Sequence, residues 1–319
     1  MLKFAVIGGF WLTDEFIKAL AESDETVYFA QYSRDICKAQ KYGKENGAVR
    51  FYSDLNELAK DEEIDAVYIA SPNALHYEQS KLMLENKKHV ICEKPVTPTK
   101  AQFDELSLLA DKNGVIYMEA MMNLHNPAIG ELSDIISNSG EIISVRFDFN
   151  QRSSKLEKWR AGQTFSTFEK STFGGALMDL GVYITSLSAR LFGMPEGVFA
   201  TASFNSAGVD MKDTAVLLYD GFEVICTLSK LTESRIRSEI LCEKNVITIE
   251  TLSRLENVIS YGEINKRVSG EYGFVEGMKN EIKDFIAYIK GDREGYLKNR
   301  EYTGSSVSLL EILRNKIGY

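Results

Sequence analysis

The sequence predicts an α/β protein: a doubly wound parallel sheet over residues 1–120, then an α+β domain over 121–319 built on a mostly antiparallel sheet. Two observations carry this. As far as Ala120, short apolar runs alternate with amphipathic helical segments, the grammar of parallel strands joined by helical crossovers. Beyond Ala120 the period shortens to two, as in strands with one wet face. A chain of 319 residues also exceeds one ordinary core, so two domains are the natural division.

In the first domain the apolar runs place strands at Phe4–Ile7, Val27–Ala30, Ala66–Ala70, Val90–Cys92 and Val115–Met118. Helices are expected between them at 16–21, 36–45 and 77–84, and around Phe103, Leu106, Leu109 and Ala110, where three- and four-residue spacing keeps apolar groups on one face. In the second domain Ile143, Val145, Phe147 and Phe149 alternate with Ser144, Arg146 and Asp148. Asp220-Gly221, between Val216–Tyr219 and Phe222–Cys226, predicts a hairpin with a type I′ turn. Runs at Ala200–Phe204, Ile236–Leu241 and Val246–Ile249 bring this sheet to five or six strands. A helix should start at Gly174-Gly175 and continue through Asp179, Tyr183, Leu187 and Leu191; two more close the chain at about 274–290 and 305–317.

Composition narrows the function classes. Apolar content of 44% and charged content of 26% describe a soluble globular protein, and no stretch approaches the roughly 20 apolar residues that span a bilayer. The opening Met1-Leu2-Lys3-Phe4 runs straight into a strand, so no signal peptide is expected. A net charge of −9 argues against nucleic acid, because phosphate binding needs a basic surface. Four scattered cysteines without a CxxC pair fit buried thiols in a reducing cytoplasm. The three histidines (His76, His89, His125) lack metal-ligand spacing, so no metal site is expected.

Strand, glycine turn and helix at Val6–Thr13 form the context in which a dinucleotide pyrophosphate rests on helix N-terminal amides. Candidate contacts are Gly8, Gly9, Phe10, Trp11, Leu12 and Thr13. Of the glycines that G-x-G-x-x-G requires, only Gly8 is present; Phe10 and Thr13 hold the other two positions. Phe10 should limit backbone approach, and Thr13 has a hydroxyl for phosphate or for capping the helix. Asp14 and Glu15 repel phosphate unless they point away. The motif alone leaves dinucleotide binding and a purely structural turn both open. After the second strand, Gln31-Tyr32-Ser33-Arg34 lacks the acid expected to bind a ribose; Arg34 and Ser33 instead suit a 2′-phosphate, which favours NADP, with NAD as the alternative.

Glu93-Lys94-Pro95 ends an apolar run, placing a lysine where open α/β sheets bind ligands. Asp179 and Tyr183, four residues apart, share a helix face, and Gly181 between them would let a flat ring approach the backbone. Lysine, carboxylate and phenol around a nicotinamide make a consistent acid–base set. Tyr183 exchanges the proton of a substrate hydroxyl, Lys94 stabilises the alkoxide, and Asp179 orients the lysine or the hydroxyl. A core tyrosine and a Lys94–Asp179 ion pair joining the domains are the bland alternatives.

The constellation resembles the Gfo/Idh/MocA oxidoreductases over nearly the whole chain. It is carried by Ala5-Val6-Ile7-Gly8, Tyr32-Ser33-Arg34, Ser71-Pro72-Asn73-Ala74-Leu75-His76, Glu93-Lys94-Pro95, Met118-Glu119-Ala120 and 174–183. The resemblance implies a Rossmann domain followed by an α+β domain whose open sheet forms a homodimer or homotetramer interface. It implies Lys94, Asp179 and Tyr183 as the catalytic trio, with Ser71, Pro72, Asn73, His76, Glu93 and Lys94 along the coenzyme and a cis peptide before Pro95. Tyr183 in place of histidine is similar to the branch containing glucose-fructose oxidoreductase and dimeric dihydrodiol dehydrogenases, which favour NADP. The Gly-x-x-Trp-x-Thr turn resembles a bacterial subgroup of oxidoreductases, and Asn123 stands where many relatives carry arginine. Asn123, His125, Arg160, Gln163 and Thr172 are the candidate substrate contacts.

The leading expectation is therefore an NADP-dependent oxidoreductase acting on a secondary alcohol or carbonyl of a sugar, polyol or diol, without a nucleic-acid or membrane partner. A redox-neutral NAD-dependent glycosidase and a non-catalytic NADP-binding regulator are the alternatives on the same scaffold.

Overall fold

A computed structural model describes residues 1–319 and divides the chain into two units, Met1–Ala120 with Phe274–Arg300, and Met121–Gly273 with Glu301–Tyr319. The first unit runs β1 (Leu2–Ile7), α1 (Trp11–Ala21), β2 (Thr26–Tyr32), α2 (Ile36–Asn46), β3 (Arg50–Tyr52), α3 (Leu55–Lys60), β4 (Ala66–Ile69), α4 (His76–Glu85), β5 (His89–Glu93), α5 (Lys100–Asn113) and β6 (Tyr117–Ala120). All six strands are parallel, in the order β3-β2-β1-β4-β5-β6. Chain direction across the sheet reverses between β1 and β4, which leaves a crevice at their carboxyl ends. Strand β3 has only three residues, too few to show a period in the sequence.

The second unit continues with α6 (Met122–His125), α7 (Ala128–Ser137), β7 (Ile142–Asn150), α8 (Leu156–Arg160), a π turn at Leu177–Gly181, α9 (Val182–Phe192), β8 (Gly197–Phe204), β9 (Asp210–Tyr219), β10 (Phe222–Ser229), β11 (Ser238–Cys242), β12 (Asn245–Ile249), β13 (Ile259–Gly262) and β14 (Lys266–Arg267). Its eight strands lie in the order β14-β13-β12-β11-β7-β10-β9-β8, antiparallel except for β7 with β10. The two strands beyond the expected number are β13 and β14 at one edge, too short to show a period in the sequence. In β7, Val145 and Phe147 are buried but Ile143 is exposed. The register against β11 jumps from Ser144 to Ile142, so Ile143 is a bulge residue turned off the core face. The β9–β10 turn is not type I′: Gly221 has φ +82°, but Asp220 does not take the positive φ that this turn needs at both central positions.

The chain then returns to the first unit through α10 (Phe274–Ile289) before α11 (Arg293–Ile317) ends it. The sequence reading placed all of 121–319 in one domain. Residues 274–300 instead cover the first sheet, because α10 buries Met278, Ile282, Phe285 and Ile286 on one face. Phe285 meets Phe4 of β1 at 6.0 Å between ring centres.

Candidate active site

Gly8 has φ +140°, and a Cβ there would lie 2.8 Å from Ala70 O, so β1 and β4 leave room only for glycine. Gln31, buried at the end of β2, donates from Nε2 to Gly8 O (2.5 Å) and accepts from the Tyr28 hydroxyl (2.6 Å), pinning the turn from below. Phe10 and Trp11 are exposed beyond it. Thr13 is fully buried, accepts from Phe10 N–H (3.4 Å) and donates its own N–H to Phe10 O (2.8 Å). Of the two roles open to it, it takes that of starting α1, and its hydroxyl has no surface for phosphate. Asp14 accepts from the Tyr42 hydroxyl of α2 (2.5 Å) and Glu15 pairs with Lys18 (2.6 Å), so both acids are held along the side of α1.

After β2, Arg34 is exposed and Ser33 half-buried. The nearby acid Asp35 caps α2, accepting from Cys37 N–H (2.9 Å) and Lys38 N–H (3.4 Å). An acid engaged in this way does not compete for a ribose, so the residues present fit a 2′-phosphorylated dinucleotide.

The loop after β4 brings Ser71, Pro72 and Asn73 to the same edge. Ser71 donates its hydroxyl to Gln79 (2.7 Å). His76 is 1% exposed, with Nε2 2.8 Å from Ser71 O and Nδ1 2.9 Å from Pro95 O. Burial holds its pKa below the ordinary value, outweighing the two carbonyls. His76 therefore ties the β4 loop to the β5 loop, and its ring has no open surface for a coenzyme.

Lys94 follows β5, half-buried, with a cis peptide to Pro95. Its support is acidic and buried. Glu93 turns inward, accepting from the Tyr68 hydroxyl (2.6 Å) and from Lys94 N–H (3.3 Å), so it too serves the turn rather than the crevice. Glu119 of β6 accepts Val96 N–H at Oε1 (2.9 Å), while its Oε2 is buried without a partner. Burial pushes the Glu119 carboxyl up to about 7, with Glu93 adding to the rise. Burial raises Glu281 of α10 well above the ordinary carboxylate range, with Glu93, Glu119 and Asp284 adding to the rise.

In the second unit Asp179 lies on the π turn and Tyr183 in the first turn of α9, so the predicted continuous helix is interrupted at these two candidate residues. Three contacts anchor this segment. Asp210 of β9 accepts Leu177 N–H (2.6 Å) and caps its start. Asn123 donates from Nδ2 to Tyr183 O (3.1 Å) and the Ser186 hydroxyl (3.2 Å). Tyr183 packs its ring on Phe149, 5.5 Å between centres. Lys230, which sequence reasoning missed, forms an ion pair with Asp179 Oδ2.

Several expectations change here. Asn123 is 0% exposed and its amide holds the helix, so it has no surface for substrate. A Cβ on Gly181 would meet Leu177 (2.8 Å) and Leu228 (3.1 Å); the glycine makes room for those side chains, not for a flat ring. Thr172 donates its hydroxyl to Ser166 O (2.6 Å) and Glu169 O (3.0 Å), fixing its own loop. Arg160 is exposed and pairs with Glu157 (3.0 Å); Gln163 is exposed and His125 buried. Lys94 belongs to the first unit, Asp179 and Tyr183 to the second.

Comparison with known proteins follows this division. Residues 2–121 match the model of an oxidoreductase family with an NAD-binding Rossmann fold, and residues 137–248 match the GFO/IDH/MocA C-terminal domain. The chain is 34% identical to scyllo-inositol 2-dehydrogenase (NADP(+)) IolU of Bacillus subtilis, over 100% of this chain and 98% of that one. It is 36% identical to the uncharacterized oxidoreductase YgjR of Escherichia coli, over 81% and 79%. Among solved structures, KijD10, a 3-ketoreductase from Actinomadura kijaniata in complex with NADP and TDP-benzene, shares the fold, with TM-score 0.85 and 21% identity over 99% and 98% of the two chains.

Proposed function

Because this chain belongs to the Gfo/Idh/MocA oxidoreductases, we propose that it is an NADP-dependent dehydrogenase of a hydroxylated ring compound, a cyclic polyol or sugar. The observation that carries this reading is the Asp179–Tyr183 segment, capped by Asp210, held by Asn123 and interrupted by a π turn at its carboxylate. Such anchoring suits a residue pair whose aim matters. The Gly8 turn with Ser33 and Arg34 would hold the coenzyme, which would supply a hydride acceptor for an alcohol in its oxidised form (NADP) and a hydride donor for a carbonyl in its reduced form (NADPH). The Tyr183 hydroxyl exchanges the substrate's hydroxyl proton. The Lys94 ammonium stabilises the alkoxide that this exchange exposes, and Asp179 accepts a hydrogen bond from a substrate hydroxyl.

The test is a panel of inositols, aldoses and vicinal diols with NADP and, separately, NAD, followed at 340 nm. Oxidation of a cyclic polyol with kcat/KM at least about tenfold higher for NADP supports the reading, since one bidentate Arg34–phosphate contact is worth that much. A flat response with both coenzymes defeats it. The proposal includes a homo-oligomer joined through the second sheet, where Phe199, Phe204 and Tyr261 are exposed, working in the cytoplasm; gel filtration of the same preparation reads its size.

A further inference from the structure

We propose that Lys230 is the positioning residue of the active-site acid: it fixes the charge and the aim of Asp179 from within the second unit. The inference rests on the dehydrogenase reading above and adds to it a residue that neither motif nor spacing marks.

A lysine enclosed by protein is rare without a partner, because burying an ammonium costs several kcal/mol unless it is paired. The Lys230 side chain is 4% exposed, and its partner Asp179 is 41% exposed. The pair is thus lopsided: the cation is sealed in and the carboxylate faces out. An ion pair that only held the fold together would have no reason to leave its acid open to solvent on the π turn, one helical turn before Tyr183.

The ammonium also sits on a fixed base. Lys230 N–H donates to Met211 O (2.9 Å) and Lys230 O accepts Ser153 N–H (2.9 Å), so the strap after β10 is bonded on both sides. The next residue, Leu231, packs on the cluster of Leu156, Phe168 and Met211. The ammonium's position is therefore set by the sheet, and the carboxylate follows it. Of three ammonium hydrogens, one goes to Asp179 Oδ2. The carboxylate of Asp179 is accordingly held in one direction from the sheet side, while proton exchange stays with Tyr183.

The experiment compares wild type with Lys230→Met, Lys230→Arg, Asp179→Asn and the Asp179→Asn/Lys230→Met double variant, using the polyol that wild type turns over best. Lys230→Met should lower kcat on the order of 100-fold, the cost of a misplaced reacting group. NADP affinity, read by fluorescence titration, should change less than about twofold, and Lys230→Arg should recover much of the loss. In the Asp179→Asn background, Lys230→Met should add little, because both residues act through one carboxylate. A purely structural lysine would lower the melting temperature yet leave kcat per folded molecule intact. Lys230→Met turning over within about twofold of an active wild type, or losses that multiply in the double variant, would overturn the inference and leave the dehydrogenase reading standing. If Lys230→Met does not fold, Lys230→Gln enters the same cycle with the same two outcomes.

Discussion

Lys94 and Asp179 are supported in opposite ways. Near Lys94 lies Glu119, whose carboxyl is pushed up to about 7 by burial, and Glu281 of the same unit is raised well above the ordinary carboxylate range by burial. Beneath Asp179 lies a buried ammonium paired to it. A carboxyl driven toward its neutral form adds little field while still accepting backbone hydrogen bonds, as Glu119 does from Val96 N–H. A buried cation does the reverse, since it fixes both direction and charge of the group it holds. The difference teaches that two candidate residues of one chain draw on two kinds of support, carboxyls driven toward their neutral form near Lys94 and an ion pair at Asp179.

The largest test of this contrast is Lys94→Met. Losing the cation should reduce turnover on the order of 10²–10⁴-fold with the fold intact, measured as kcat alongside circular dichroism. A variant retaining a tenth of wild-type turnover would remove Lys94 from its side of the comparison. Next comes Asp210→Ala, which strips the cap from the Asp179 segment and leaves Leu177 N–H buried without an acceptor. It should cost about 1–3 kcal/mol in urea unfolding and lower kcat more than it raises KM. Neighbouring Asp213, kept protonated by burial and by Asp210, does not substitute, as no bond joins it to Leu177 N–H.

The smallest effect belongs to Glu119→Gln. Folding raises the Glu119 pKa, so the native chain binds a proton there that the unfolded chain releases between pH 4.5 and about 7. Stability must therefore fall as pH rises through this window and level off above it. Wild type should lose about 1 kcal/mol between pH 6 and pH 8 from this group, and glutamine, which cannot ionise, should flatten that slope in melts across the range. An unchanged slope would show that the neutral support of Lys94 lies elsewhere.

The elements that the sequence disclosed are those whose signal is local. Apolar runs gave β1, β2, β4, β5 and β6, and alternation gave β7 and the β9–β10 hairpin. Lys94, Asp179 and Tyr183 stand out as candidates through their motifs. The groups that hold them were not. Gln31 under Gly8, Asp210 at Leu177 and Lys230 at Asp179 are set by pairings across 23, 33 and 51 residues. A lysine just after a strand reads as solvated until the chain is folded. Gly181 misled for the same reason: a missing side chain shows that something comes close, not whether that neighbour is a ligand or, as here, Leu177 and Leu228.

The return of α10 to the first sheet has a consequence for synthesis. Phe285 closes over Phe4, so the amino-terminal strands emerge from the ribosome long before the helix that shields them. During that interval the first unit carries an uncovered apolar face, and a fragment ending at Ala120 would keep it permanently. Expression of the coenzyme half as an independent module therefore requires grafting residues 274–300 onto it.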